Sequence, residues 1–204
     1  MSQIEIFSEN KALIEFCTQG LSSLGTLDII KDIHSEINAD AVIIDAQKID
    51  EDKQLISLFS NKAIRFLIIG SNWSEDNQVQ ALLKGAAGYC DESVNPKILL
   101  QAIEKVLVGD VWMQRHLVPQ IISRLMQANS NAQAKLDEEK EILNKLSKRE
   151  LDVVKMINKG NNNKSIASAL FISERTVKSH LTSIFKKLKV PNRLHLAVLI
   201  KEIS

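Results

Sequence analysis

The sequence predicts an α/β unit, a doubly wound parallel sheet with helices on both faces, followed by a small all-α unit of four helices. Three observations carry this. Short apolar runs rich in branched residues alternate with helix-period stretches over about the first 120 residues; a small, polar segment, Gln127-Ala128-Asn129-Ser130-Asn131-Ala132-Gln133, follows; and the sign of the charge reverses soon after it.

The strands come first. Ile4-Glu5-Ile6-Phe7, Ala41-Val42-Ile43-Ile44 and Phe66-Leu67-Ile68-Ile69 are short, branched and bounded by polar or turn residues, and Gly88-Tyr89-Cys90 reads as a further short strand. Between and after them, Lys11 to Leu24, Asn77 to Lys84, Pro96 to Val108 and Gln114 to Gln127 carry helical spacing. Strands separated by helices pair in parallel and need both faces covered. The expected units are 1–122, a helical extension and linker over 123–142, and a helical domain over 143–204.

In the C-terminal part, Ser147 and Glu150 have capping-box spacing and open a helix with Leu151, Val154 and Ile157 on one face, which Gly160 stops. A second helix, Asn163 to Leu170, carries Ile166, Ala167 and Leu170. Ser173 caps a third, whose Val177, Leu181, Ile184 and Leu188 recur at steps of four, three and four. A fourth is expected from Pro191 to Ile203, with proline in its first turn.

Bulk composition narrows the function classes. Hydrophobic residues at 45% and charged residues at 25% of 204 describe a globular chain with a real core. No apolar run approaches the roughly 18 residues of a membrane span, and Met1-Ser2-Gln3-Ile4-Glu5 lacks a signal-peptide layout, so a cytoplasmic protein without a membrane partner is expected. Cys17 and Cys90 lie far apart and have no metal-site spacing, which suits two reduced, packed thiols. No Ser/His/Asp or Cys/His set, phosphate loop or metal cluster is evident, so no enzyme and no cofactor is expected.

The net charge of +1 conceals two opposite halves. Residues 145–204 hold 13 Lys/Arg against 4 Asp/Glu, a net +9, while residues 1–144 hold 13 against 21, a net −8. A compact, strongly basic unit is the electrostatic footprint of a polyanion binder, because each neutralised phosphate releases condensed counterions. On the third helix the face opposite the apolar stripe bears Arg175, Lys178, Ser179, Thr182 and Lys186. Long cations reach phosphates and guanine edges, and small hydroxyls approach bases without clashing. A merely solvated face has the same composition, so this pattern alone leaves both readings open.

Leu146-Ser147-Lys148-Arg149-Glu150, Gly160, Asn163-Lys164-Ser165-Ile166-Ala167, Leu170, Ile172 through His180, and Lys187-Leu188-Lys189-Val190 with Arg193 closely resemble the LuxR/NarL family of helix-turn-helix domains over residues 146–198, with Ser165 standing where the family usually has Glu. The resemblance implies double-stranded DNA as partner and a homodimer, with the fourth helix, presenting Leu196, Ala197, Leu199 and Ile200, as the dimerisation helix. It places Lys178, Ser179 and Thr182 where bases are read. Lys164, Thr176, Lys187 and Arg193 fall at phosphate or scaffold positions, and His180 reads as either a phosphate contact or a packed flank residue.

With Gly85-Ala86-Ala87-Gly88-Tyr89 as the clearest local match, residues 3–122 resemble a response-regulator receiver of flavodoxin-like fold. The resemblance puts Asp45 at the phospho-acceptor position. It puts the acidic pair at Glu9 and Asn10, the switch hydroxyl at Gly70 with Ser71 beside it, and the expected lysine at Glu92. One carboxylate is thus lost and a cation is replaced by an anion, which opposes phosphorylation; Asp45 is then either a working acceptor or a vestige. Finally, Trp112-Met113-Gln114-Arg115 is similar to a motif of biofilm regulators in that family that bind cyclic di-GMP. Stacking and guanidinium pairing suit such a ligand, and Trp112 as core with Arg115 as a surface cation is the other reading. A protein-protein adaptor remains a third functional class.

Overall fold

The computed structural model describes residues 2–30, 37, 39–61, 64–129 and 145–203. It divides into two compact units, Met1–Val118 and Pro119–Ser204. Of the expected linker, Gln127 to Asn129 close a helix, and residues 130–133 lie outside the described residues.

The first unit is a five-stranded, all-parallel sheet of order β2-β1-β3-β4-β5, built from β1 (Ser2–Phe7), β2 (Gly25–Ile30), β3 (Ala41–Asp45), β4 (Phe66–Gly70) and β5 (Gly88–Asp91). Alternation along each strand divides the buried side chains between two cores. Ile4, Ile6, Ala41, Ile43, Leu67 and Ile69 face one core with α1 (Lys11–Leu21) and α5 (Pro96–Leu107), whose Leu13, Cys17, Leu99 and Ile103 close it. Val42, Ile44, Phe66 and Ile68 face the other, with Ile49 of α2 (Ala46–Glu51), Phe59 of α3 (Leu55–Asn61) and Ala81 of α4 (Glu75–Leu83). The central strands are buried on both faces, as their unbroken apolar runs require. Truncating Ile43 to alanine in such a setting costs about 2–5 kcal/mol.

Helix starts follow from local chemistry. Asn10 accepts from the Ala12 and Leu13 amides and caps α1, Ser74 accepts from the Asn77 amide with Glu75 and Asp76 in the first turn of α4, and Asn95 caps α5 with Pro96 at its first position. Three elements escaped the sequence reading. The edge strand β2, Gly-Thr-Leu-Asp-Ile-Ile, is polar-interrupted and only half-buried; α2 and α3 are six and seven residues long, too short for a periodic signal. The helix expected from Gln114 begins instead as a single 3₁₀ turn, Arg115–Leu117, and becomes α6 only at Val118–Asn129.

The second unit packs α7 (Lys148–Asn158), α8 (Asn163–Leu170), α9 (Glu174–Leu188) and α10 (Arg193–Ile203) around one core of Val153, Val154, Ile157, Ile166, Val177, Leu181, Ile184, Leu188, Leu196 and Ile200. The Ser147–Glu150 capping box forms in both directions. Asn162 and Ser173 cap α8 and α9. Pro191 stands outside the fourth helix: Asn192 accepts from the Leu194 and His195 amides, so the helix begins two residues later than expected.

Candidate functional site

Helix α9 has two chemically distinct faces. Val177, Leu181, Ile184, Phe185 and Leu188 are buried in the core, which fixes the helix rotation. That rotation turns Arg175, Ser179, Thr182 and Lys186 to the exposed side, with Lys178, Thr176 and His180 half-exposed at its margins. The Thr176 hydroxyl lies 2.8 Å from Ser173 Oγ in the cap, and the Thr182 hydroxyl donates 3.0 Å to the Lys178 carbonyl one turn back. Lys164, on the first turn of α8, is exposed too. Ser165 is also exposed, and its amide donates 2.8 Å to the Asn162 cap.

Two of the nine expected nucleic-acid residues are tied into the scaffold. Lys187 donates 2.7 Å to Glu150 Oε2, and Ser183, one turn earlier on α9, donates 2.6 Å to Glu150 Oε1. Burial by itself pushes the Glu150 carboxyl up, but the hydrogen bonds from Lys187, Ser183 and Ser147 outweigh it and hold the pKa down at about 2. Glu150 thus caps α7 and anchors α9 at once. The capping-box spacing revealed only the first role; the i, i+4 spacing of Ser183 and Lys187 was the available signal for the second. Arg193 donates 3.0 Å to Asn163 Oδ1 and also to the Asn161 carbonyl, tying the start of α10 to the start of α8. Leu196 and Ile200 of α10 belong to the core, which leaves Leu194, Ala197 and Leu199 partly exposed.

In the first unit the carboxyl end of β3 carries Asp45, only 5% exposed. Its Oδ2 accepts the Ser8 hydroxyl at 2.6 Å and its Oδ1 accepts the Gln47 amide at 2.9 Å, capping α2. Ser8, absent from the sequence reading, is the residue from the end of β1 that meets Asp45. Asn10 instead turns away to cap α1, so the expected Glu9–Asn10 pair is displaced by one residue toward Ser8–Glu9. Glu9 accepts an ion pair from Lys48 at 3.1 Å, and Lys48 also reaches Glu51 at 3.3 Å. Those neighbouring carboxylates push the Lys48 ammonium up.

The end of β4 completes this corner. A Cβ on Gly70 would lie 2.6 Å from Ala46 Cβ, so the space for a side-chain hydroxyl is already filled. Ser71 beside it donates to Glu92. Tyr89 donates 2.7 Å to the Gly70 carbonyl, accepts from the Trp73 amide at 3.3 Å, and packs its ring 5.7 Å from that of Trp73. Burial pushes the Tyr89 phenol up to about 12. Among the described residues no group of three or more His, Cys, Asp or Glu side chains converges on a metal position.

The Trp112 segment lines the outer edge of β5. The Trp112 amide donates 2.8 Å to the Ala87 carbonyl and its carbonyl accepts from Tyr89 at 3.2 Å, while the partly buried ring packs against the first core. A Cβ on Gly88 would sit 2.2 Å from the Trp112 carbonyl, so only glycine allows this approach. Met113 is half-exposed, Gln114 and Arg115 exposed.

Comparison with known proteins agrees with both units. Residues 144–200 match the family described as bacterial regulatory proteins, luxR family. The nitrate/nitrite response regulator protein NarL of Escherichia coli K12 is 34% identical over 134 residues, 66% of this chain and 59% of that protein. The matched region therefore spans less than two thirds of the relative's length. A transcriptional regulatory protein of Bacillus subtilis, YhcZ, is 29% identical over 91% of this chain and 82% of its own length. Among solved structures, the RcsB response regulator of Salmonella typhimurium shares the fold, with a TM-score of 0.50 at 15% identity over 98% of this chain and 100% of that one. Residues 144–200 therefore carry a helix-turn-helix domain of the luxR family of bacterial regulatory proteins, and the chain that holds it is similar to the NarL-type response regulators.

Proposed function

We propose that the chain is a dimeric, sequence-reading regulator of transcription that inserts α9 into the major groove of double-stranded DNA, and whose receiver-like unit (1–122, joined through 123–142 to the DNA-binding domain at 143–204) works without phosphorylation. The carrying observation is α9 itself: its apolar stripe is consumed by the core, while Arg175, Lys178, Ser179, Thr182 and Lys186 line the outer side of one rigid helix. In this reading Lys178, Ser179 and Thr182 meet base edges and Arg175, Lys186, Lys164 and Thr176 meet the backbone. Lys187 and Arg193 serve as scaffold, since Glu150 and the Asn161–Asn163 segment occupy them.

Three features of the strand-end pocket support the second half of the proposal. Both Asp45 oxygens are already hydrogen-bonded, Lys48 neutralises Glu9 where a divalent cation would need that charge, and Ala46 fills the space of a switch hydroxyl. The half-exposed Leu194, Ala197 and Leu199 of α10 suit a contact between two copies, and a two-fold dimer suits two half-sites. Selection of duplexes from a random pool by the full chain, followed by titration across salt, tests the reading. An enriched motif bound with a steep negative salt slope is expected; no enrichment, or an affinity indifferent to salt, overturns it.

A further inference from the structure

Phe171 is the most exposed large hydrophobic side chain among the described residues, at 94%, against 37–51% for Ile29, Ile98 and Met126. It is also in the left-handed region, φ 56° and ψ 45°, where it ends α8. That conformation lets the Ile172 amide reach back 3.0 Å to the Ala167 carbonyl, turns Ile172 against the core, and releases the chain into the Ser173 cap of α9. The backbone at this position favours glycine or asparagine, and a bulky aromatic is sterically disfavoured there. Neither core packing nor backbone geometry therefore accounts for a phenyl ring at residue 171.

Its neighbours say what does. Residue 171 lies three positions before the first helical turn of α9, which begins at Glu174 and carries Arg175 and Thr176. Lys164 and Lys178 stand on the two flanking helices, in a segment with a net charge of +9. An exposed apolar side chain on a strongly basic unit complements a surface that is anionic yet presents carbon faces, as the deoxyribose wall of a DNA groove does. Resting on the DNA-binding reading above, we propose that Phe171 is a DNA-contacting residue. Its ring packs on the sugar face of the strand that borders the major groove and fixes how deeply the N-terminal end of α9 enters. A ring needs no hydrogen-bond partner for this, so the contact adds affinity on specific and random duplexes alike.

The test compares the full-length parent with Phe171→Gly and Phe171→Asn, both of which tolerate the left-handed backbone, and with Phe171→Leu, which keeps an apolar side chain. Anisotropy titrations on a selected duplex and on a random duplex are paired with thermal unfolding. Expected are a five- to tenfold weaker affinity for the glycine and asparagine variants on both duplexes, a salt slope equal to the parent's because no charge is removed, and an unfolding temperature at or above the parent's. The leucine variant should lose less than the glycine variant. Glycine and asparagine variants that bind like the parent overturn the proposal and leave the DNA reading intact. A loss of affinity accompanied by a lowered unfolding temperature assigns Phe171 to the fold and overturns it as well. A parent chain that binds no duplex overturns both.

Discussion

Lys187 Nζ lies 2.7 Å from Glu150 Oε2, and the Glu150 side chain is 4% exposed where that of Lys187 is 38% exposed. One buried carboxylate joins α7 to α9 through three donors from two places in the sequence, so its charge adds a polar tie to the apolar packing that seats the proposed DNA-reading helix.

Acid should therefore loosen the second unit in a defined window. Glu150 is depressed from 4.5 to about 2, so its contribution is complete above pH 4.5 and is lost as the pH falls toward 2. A shift of that size corresponds to about 3 kcal/mol. Thermal unfolding of the parent and of Glu150→Gln, measured from pH 7 to pH 2.5, should show a gap that closes on acidification. A gap that stays constant would mean that the carboxylate charge is not what holds α9.

Lys178 and Arg193 should separate binding from stability. Lys178→Ala is expected to weaken binding to the selected site by about 1–3 kcal/mol, with a smaller loss on random DNA and unchanged unfolding. Arg193→Ala removes the bonds to Asn163 and the Asn161 carbonyl, so it should lower the unfolding temperature first and affinity only as a consequence. The reverse assignment, Arg193→Ala binding weakly while unfolding like the parent, would move Arg193 to the DNA surface.

An acyl-phosphate donor with Mg²⁺ should leave Asp45 unmodified. Restoring the switch hydroxyl should fail on its own: Gly70→Ser brings a Cβ to 2.6 Å from Ala46 Cβ, an overpacking that costs about 1–3 kcal/mol. Combining it with Ala46→Gly should recover most of that loss, a non-additivity that unfolding of the two single variants and the double variant measures. Stoichiometric phosphorylation of the parent, read by intact mass, would sink the unphosphorylated reading.

The single tyrosine makes the pocket observable. Tyr89 should ionise near pH 12 in the folded chain and near 10 in denaturant, followed by phenolate absorbance. Because folding favours the protonated phenol, its contribution to stability is present below pH 10 and is lost as the pH rises from 10 to 12. An ordinary ionisation in the native state would mean that the ring is not held against Gly70 and Trp73.

Cys17 and Cys90, buried and pushed up to about 12 and about 11, should resist alkylation at pH 8 until the chain unfolds. Rapid labelling of either under native conditions would contradict the packing of the first core.

The sequence by itself determined what depends on neighbours along the chain. Ser147 with Glu150, Asn163 to Leu170 and the four-three-four spacing from Val177 to Leu188 set the helices of the second unit, and the branched runs at 41–44 and 66–69 set the central strands, because caps and periodicity act over one or two turns. The charge reversal between the two units was legible for the same reason, since charge is a property of composition. Tertiary structure decided everything that required two distant segments to meet. Edge strand β2 carries too weak a local pattern and exists because β1 offers it a partner. Ser8 rather than Asn10 reaches Asp45 because strand register sets which side chain points across the sheet's end. Lys187 is drawn out of the cationic row on α9 because Glu150 lies 37 residues away in sequence and 2.7 Å away in space, and a buried carboxylate must be paired.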